Sequence, residues 1–327
     1  MREVRQNKQM KPWQAIIVLA LTGLTTFIGM PLIAYVFNLG LSATLMNEIM
    51  MLIFAVAAVL IFGGNLRSVF PLYKPKVLPV VGTILFWMGS YGFVMITTLF
   101  ITALFPEQML STNESLSNAI GSSGFLISFF VVAISPAICE EAVFRGVFLN
   151  SLWGRMNKWA VILITSAVFG AFHGSIWRFL PTACLGIAMA YLLVETNNMF
   201  YNMLFHAINN TLPVVLLSVL NFLYGVMGVE DIYSSVQKET TTISMWPSFG
   251  LYFSFLGGAA FLVYIGNYLI HKDRPGYQNG LFPKEKKKAL FILIGITLGC
   301  MVVGIMIYML GILSDPTFLD MLFNDLA

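Results

Sequence analysis

The sequence predicts an all-α protein, a polytopic bundle of transmembrane helices, and three observations indicate this fold class. Of the 327 residues, 58% are apolar, 14% are aromatic and only 10% are charged, and the mean hydropathy is +0.83. Long apolar stretches recur along the whole chain. Loops rich in lysine and arginine alternate with neutral or acidic loops. Such a composition lies well outside the range of soluble globular proteins, so the sequence excludes that class.

Nine stretches are long enough to cross the hydrocarbon core of a bilayer, which takes about 20 helical residues. They are 13–37, 43–63, 78–104, 123–153, 158–174, 177–195, 198–224, 247–270 and 288–313. The first follows a basic segment, as the apolar region of a signal peptide does. Its apolar run is longer than that of a signal peptide, and no convincing small-residue cleavage site follows it. We therefore expect this stretch to be retained as a span.

The charges of the loops predict how the chain is oriented in the membrane. Lysines and arginines precede span one and lie between spans two and three, four and five, and eight and nine. The opposite loops are neutral or acidic, apart from Arg178, and Glu195 is the exception on the basic side. The positive-inside rule places the basic loops in the cytoplasm. We expect an integral membrane protein, in the plasma membrane, with its N-terminus in the cytoplasm and its C-terminus outside.

Ionisable side chains inside the spans give the strongest indication of function. Glu140 and Glu141 lie side by side in span four, and two of the three histidines, His173 and His206, lie in spans five and seven. A charged residue within a bilayer costs about 2.5 to 3.5 kcal/mol even on lenient insertion scales. Residues that are retained at such a cost usually serve a function, so these four are the first candidates for a site.

Residue counts predict that Glu140 and His173 lie at the same depth in the membrane. Glu140 and His173 lie at similar distances in sequence from the turn between spans four and five, which puts both roughly 21 Å from that turn. By the same count, His206 lies only about 12 Å along span seven. This mismatch of roughly 10 Å requires a tilted helix or a recessed helix start. Pro136 has no N–H to donate to Val132, so we expect span four to kink or loosen just before Glu140.

Helical spacing predicts two further features of these spans. Glu141 and Arg145 are at i, i+4, the arrangement in which an acid and a base pair best along a helix. Glu140 has no such cation, which makes it the better candidate for a general base and Glu141 the better candidate for an orienting carboxylate. Span seven carries one polar stripe, at i, i+4 and i+8, that must face protein or water. Its members are Asn202, His206 and Asn210.

Three short motifs lie on apolar spans four, five and seven: Glu-Glu-x-x-x-Arg at 140–145, Phe-x-x-x-His at 169–173 and His-x-x-x-Asn at 206–210. Together they resemble the CAAX protease and bacteriocin-processing (CPBP) family, which includes the type II CAAX prenyl endopeptidases. Each motif is weak alone, but their order on buried helices is specific. The resemblance covers residues 120–225 and implies a catalytic core formed by spans four to seven. Residues 1–119 then hold spans one to three, and residues 226–327 hold spans eight and nine.

The resemblance also implies a role for each residue of the motifs. Glu140 and His173 activate a water molecule that attacks a peptide carbonyl, while His206 and Asn210 donate hydrogen bonds to the developing oxyanion. The residues that hold Glu140 in place are Glu141 and Arg145. We therefore expect an intramembrane endopeptidase of the glutamate type that acts on a short peptide or a membrane protein.

No cofactor is required in this interpretation, but zinc is an alternative. Glu140, His173 and His206 are together able to supply three ligands to a zinc ion and leave a fourth position open. The His-Glu-x-x-His spacing, which puts base and ligands on one helix, is absent from the sequence. We expect the metal-free mechanism and keep the zinc-dependent protease as its alternative.

Two other classes of function are also compatible with buried glutamates and histidines. Such residues form proton relays in secondary transporters, although the repeated halves typical of many transporters are not detected here. A non-catalytic membrane scaffold or immunity protein is the second class, and it has no need of Glu140 or His173. The expected partners are the lipid bilayer and a peptide or membrane-protein substrate, and no nucleic acid.

Overall fold

The computed structural model describes residues 9–109, 124–227, 245–277, 280–283 and 287–314. Within these ranges the protein consists of helices and their connections, and no β-strand forms. Seven of the described helices are long and apolar enough to span a membrane, or eight if one bent pair is a single span. The predicted all-α, polytopic membrane bundle is therefore confirmed, whereas the count of nine spans is not.

We number the main helices α1 to α11 in chain order. They are α1 (Pro12–Phe37), α2 (Leu41–Ile61), α3 (Leu66–Val69), α4 (Val77–Leu104), α5 (Phe125–Leu152), α6 (Lys158–Ala171), α7 (Ile176–Thr196), α8 (Met199–Met227), α9 (Trp246–Ser254), α10 (Leu256–Ile270) and α11 (Lys287–Leu313). The bent pair is α9 and α10, which meet at an angle of 42°. Wider π-type turns with i→i+5 hydrogen bonds interrupt α1 at Thr25–Gly29 and α5 at Phe129–Ile134 and Ala142–Leu149.

Helix α6 departs most from the predicted spans. It has 14 residues and is therefore about 21 Å long, less than the roughly 30 Å of a hydrocarbon core. The helix ends at Ala171, and Gly174, at a φ of 66°, turns the chain towards α7. Lys158 and Glu195 form an ion pair at the other end of these two helices. The predicted span over 158–174 is thus a short arm of a helical hairpin.

The start of α8 is recessed in the protein. Asn197 adopts a left-handed conformation with a φ of 51° and ends α7. The next residue, Asn198, is only 4% exposed, and its side chain makes two hydrogen bonds of 3.1 Å with the backbone of Tyr73. The backbone N–H of Met199 donates to the carbonyl of Pro71 at 2.7 Å. The segment between α3 and α4 therefore covers the first turn of α8.

Close packing divides the helices into two units. One unit contains α1, α2, α3, the first residues of α4, α5 to α7, and α8 as far as Phe222, and the large side chains buried in it include Arg145, Phe169 and Phe205. The other contains the rest of α4 and α9 to α11. Within this second unit, a Cβ atom added to Gly82 would lie 2.8 Å from the carbonyl oxygen of Gly266. Small residues of this kind allow membrane helices to approach closely.

The predicted orientation stays a prediction. Most of the acidic residues on which it depends lie outside the described residues, as do several of the basic ones. These acidic residues are Glu114, Glu230, Asp231, Glu239, Asp315, Asp320 and Asp325, and the basic ones are Arg2, Arg5, Lys8, Lys284 and Lys286.

Candidate active site

Glu141 is the centre of a buried polar cluster. Its side chain is fully buried, and Arg145 Nη1 donates to Oε1 at 2.8 Å. Asn202 Nδ2 donates to Oε2 at 2.5 Å, and His206 Nδ1 lies 2.9 Å from Oε1. Because a carboxylate can only accept, Nδ1 of His206 carries the proton in this contact. The polar stripe of α8 therefore faces α5, and Glu141 binds three partners.

Arg145 connects α5 to the two helices of the hairpin. Its side chain is fully buried, and Nη2 donates to the carbonyl of Gly186 on α7 at 3.3 Å. Its guanidinium carbon lies 4.1 Å from the ring centre of Phe169 on α6, a cation–π contact. The guanidinium thus compensates the charge of Glu141 and fixes the position of α5 against α6 and α7.

Glu140 lies in different surroundings from its neighbour. Its side chain is 17% exposed, against 0% for Glu141. Its Oε2 atom is buried and has no hydrogen-bond partner. The Nε2 atom of His206 lies 3.8 Å from this oxygen, which is beyond hydrogen-bond distance. One of the two adjacent acids is therefore saturated with hydrogen bonds, and the other keeps a free oxygen beside an imidazole.

The contacts of His206 correct the depth expected from residue counts. A mismatch of roughly 10 Å between His206 and Glu140 is expected if span seven begins at the level of the other cytoplasmic turns. In the structure the imidazole lies between the two carboxylates, 2.9 Å from Glu141 and 3.8 Å from Glu140. The recessed start of α8 under residues 71–73 removes the mismatch.

His173 lies in the turn that follows α6. Its Nδ1 atom is 3.0 Å from the carbonyl oxygen of Phe169, and since a carbonyl only accepts, Nδ1 donates. The Nε2 atom of the neutral ring is then a proton acceptor. The ring of Phe169 lies between the two histidines in this site, with its centre 4.9 Å from that of His173 and 5.9 Å from that of His206. Phe169 therefore contacts Arg145 and both imidazoles.

Asn210 binds a carbonyl group that Pro136 leaves without its usual donor. In a regular α-helix the carbonyl of Val132 would accept from the N–H of residue 136, and proline has none. Asn210 Nδ2 donates to this carbonyl at 3.1 Å. Asn209 Nδ2 donates in turn to Asn210 Oδ1 at 3.2 Å. The predicted loosening of α5 thus appears as π-type turns on either side of Ser135–Glu141, and a side chain of α8 binds the carbonyl group that the proline leaves without its usual donor.

The side chains of the described residues bear on the zinc alternative. Among the residues that the structure describes, no three His, Cys, Asp or Glu side chains are grouped so that they could hold a metal ion. The three candidate ligands Glu140, His173 and His206 are among these residues, and the cofactor requirement of the site stays a prediction. The Nδ1 atoms of both histidines are already engaged by Phe169 and Glu141.

Sequence reasoning missed one acidic residue near the site. Glu48 is the only charged residue of α2, its side chain is 4% exposed, and its Oε2 atom has no hydrogen-bond partner. Helix α2 makes its most extensive contacts with residues 135–149 of α5. The signal was present in the sequence, since a single acid within an apolar span is costly.

Comparisons with known proteins agree with the position of the cluster. A family model described as "Type II CAAX prenyl endopeptidase Rce1-like" matches residues 122–212, a segment that contains all three motifs. YdiL of Bacillus subtilis (strain 168), a proposed membrane peptidase, is 27% identical over 119 residues. This alignment covers 36% of the chain and 44% of the length of that relative. No solved structure matches the chain.

Proposed function

We propose that this protein is an intramembrane endopeptidase in which Glu140 activates a water molecule. The chain belongs to the CAAX protease family through residues 122–212. Membership of this family and the similarity to YdiL support a membrane protease in general. One observation carries the finer proposal: Glu141 is bound to three partners, whereas Glu140 keeps a free, buried oxygen near His206. A carboxylate with a free oxygen is able to take a proton from water.

Glu140 is the general base in this mechanism, and His173 helps to hold the water. The water donates one O–H to Glu140 and the other to Nε2 of His173, which accepts because Nδ1 donates to Phe169. As the water oxygen attacks the peptide carbonyl, its proton passes to Glu140. The same proton then passes to the nitrogen of the leaving amine when the C–N bond breaks.

His206 stabilises the negative charge that develops on the peptide oxygen. Its Nδ1–H is fixed by Glu141, so Nε2 points towards the side on which Glu140 lies. Nε2 is able to donate to an oxyanion when both ring nitrogens carry a proton. A donor held in place before the reaction contributes about 3 to 4 kcal/mol to stabilisation of the transition state.

Asn210 is the second candidate for a donor to the oxyanion. Its amide has two N–H groups, and one of them is used by the carbonyl of Val132. The second N–H is available, and the contacts with Val132 and Asn209 fix the plane of the amide. Preorganisation of this kind is what makes a hydrogen-bond donor effective in catalysis.

Glu141 and Arg145 act as positioning residues. The resemblance to the family implies that they hold Glu140, but the contacts of Glu141 are with His206, Asn202 and Arg145. We infer that Glu141 orients the imidazole of His206, as second-shell carboxylates orient histidines in many sites. Arg145 pairs with Glu141 at 2.8 Å and holds its carboxyl group in this position.

An apolar cavity in the same unit as the cluster favours a substrate with an aliphatic side chain. It has a volume of about 130 Å³, lies between α2, α5 and α8, and is lined only by apolar residues. Ile138 and Ala142, which line it, flank Glu140 and Glu141 in sequence. A short or membrane-embedded peptide that enters between the helices is the substrate class that fits this position.

The proposed function is tested with a library of quenched-fluorescent peptides and the purified protein in detergent. We expect cleavage by the wild type, loss of cleavage in His173→Ala, and full activity in the presence of a zinc chelator. Mass spectrometry of the products identifies the bond that is broken. Loss of activity in the chelator would favour the zinc-dependent alternative. Tight binding of peptides without cleavage would favour the non-catalytic scaffold.

A further inference from the structure

The end of α3 and the residues that follow it lie directly on α5, beside Arg145. Asn150 Nδ2 donates to the backbone carbonyl of Ser68 at 3.1 Å. The ring of Phe70 covers Gly146, where an added Cβ atom would lie 2.5 Å from the ring. Glycine at this position therefore allows α3 and α5 to approach closely.

A cavity of about 20 Å³ lies between α3, α5 and α7. The polar residues Ser68, Arg145 and Asn150 are part of its lining. A volume of roughly 10 to 15 Å³ is enough for one water molecule if two or more polar groups are able to bind it. Ser68 lies outside residues 122–212, so the match to the family does not include this side of the cavity.

Two residues that line this cavity each have a buried polar atom without a hydrogen-bond partner among the described residues. These atoms are Arg145 Nε and Ser68 Oγ. The other two nitrogens of the guanidinium are used, since Nη1 donates to Glu141 and Nη2 donates to Gly186. Buried polar groups are nearly always bonded to protein or to ordered water, and one that is left unbonded is costly. Two such atoms at one water-sized cavity indicate a shared ligand.

The charges around the cavity favour water over an anion as this ligand. The guanidinium of Arg145 is already paired with Glu141 at 2.8 Å, and both side chains are fully buried. An anion would add an uncompensated charge in a buried position, which is costly. Water accepts a hydrogen bond from Nε–H and has two hydrogens of its own to donate, one of them to Ser68 Oγ.

We propose that one water molecule binds in this cavity and bridges Arg145 Nε and Ser68 Oγ, and that Ser68 is thereby a positioning residue for Arg145. The guanidinium is then held at all three nitrogens, by the water, by Gly186 and by Glu141. Glu141 in turn binds His206 at 2.9 Å, so the water connects α3 to the imidazole of the site. The water site is independent of the proposed function, whereas the effect of Ser68 on catalysis rests on that function.

A crystal structure at a resolution that shows ordered water tests the site without any substrate. We expect a peak of electron density within about 3.2 Å of both Arg145 Nε and Ser68 Oγ. Ser68→Val should lose this peak. Ser68→Thr, which has nearly the same shape and keeps the hydroxyl group, should keep it.

Three crystallographic results would overturn the proposal. Absence of the peak from the wild type would show that no water binds there. An unchanged peak in Ser68→Val would show that the hydroxyl group of Ser68 does not hold the ligand. An anomalous signal at the peak after chloride is replaced by bromide would show that the ligand is an anion. Thermal unfolding in the same detergent verifies that both variants are folded, and the wild-type density decides the site even if one is not.

A kinetic comparison tests the positioning role on a peptide that the wild type cleaves. The kcat of Ser68→Val should be about threefold to tenfold lower than that of Ser68→Thr, with KM nearly unchanged, because a guanidinium that is held less firmly places Glu141 less well for the transition state. Ser151→Ala is the control, since the hydroxyl group of Ser151 already donates to the carbonyl of Phe148 at 2.7 Å. This variant should retain the wild-type kcat.

The two experiments separate failure of this inference from failure of the proposed function. Equal kcat values for Ser68→Val and Ser68→Thr would refute the positioning role of Ser68. If the wild type cleaves no peptide, the proposed function fails, and the electron density still decides whether the water site exists.

Discussion

Adjacent residues on one helix acquire different chemistry here because their side chains point in different directions. Neighbours on an α-helix are about 100° apart, so Glu141 faces Asn202 and His206 while Glu140 keeps a free oxygen. The pairing of Glu141 with Arg145 was predictable from i, i+4 spacing. The contacts of Arg145 with Gly186 and Phe169 were not, because they join residues distant in sequence.

Replacement of Arg145 by alanine should be strongly destabilising. It leaves the fully buried carboxylate of Glu141 without its cation, and loss of one partner of a buried pair costs about 3 to 5 kcal/mol. Thermal unfolding in detergent measures the effect. Arg155→Ala is the control, since Arg155 is exposed and should change stability by less than about 0.5 kcal/mol. Equal unfolding temperatures for the two variants would contradict the importance of the buried pair.

The shape of single helices was only partly predictable. The long apolar stretch predicted α5, and Pro136 predicted its irregularity, because proline acts through its own backbone. The short α6 and the recessed α8 depend on contacts that no local pattern announces. The backbone of residues 71–73 binds Asn198 and Met199. Tyr73 and Asn198 are 125 residues apart in the sequence. These contacts set the depth of His206.

The contact of Asn210 with α5 gives a prediction about two helices. Asn210→Ala should destabilise the protein by about 1 kcal/mol, since it removes the side-chain donor to the partly buried carbonyl of Val132. In a Pro136→Ala background the backbone N–H is restored, and the same substitution should cost less. Unfolding of the four proteins in a double-mutant cycle measures this coupling.

Thr211→Val is the control for this cycle. The hydroxyl of Thr211 donates to the carbonyl of Ala207 within α8. Loss of this hydroxyl should therefore change stability by the same amount with proline or alanine at position 136. Additive effects of Asn210→Ala and Pro136→Ala would show that the amide does not replace the missing backbone donor.

At the scale of the whole molecule, composition was sufficient to predict an all-α membrane bundle, because the bilayer tolerates few structures. It was not sufficient for the number of spans, since α6 is apolar but too short. The predicted orientation is unaffected by this difference. If α6 and α7 form a hairpin that starts and ends on one side of the membrane, they change the number of crossings by an even number, so the prediction for the two ends of the chain stays the same.

Labelling with a membrane-impermeant thiol reagent tests the orientation. Cysteine in place of Glu107, after α4, should react in intact cells. Cysteine in place of Asp273 should react only after permeabilisation, because Lys272 and Arg274 on either side favour the cytoplasm. The unsubstituted chain is the control, since Cys139, Cys184 and Cys300 all lie within helices. The reverse labelling pattern would invert the topology.

The central claim is that Glu140 activates the water, and kcat of Glu140→Gln on a peptide that the wild type cleaves tests it most directly. Glutamine keeps the size of the side chain and cannot accept the proton, so kcat should fall by at least about a hundredfold. Glu195→Gln, measured beside it, should retain the wild-type value. A Glu140→Gln variant that is folded and cleaves the peptide at the wild-type rate would contradict the account.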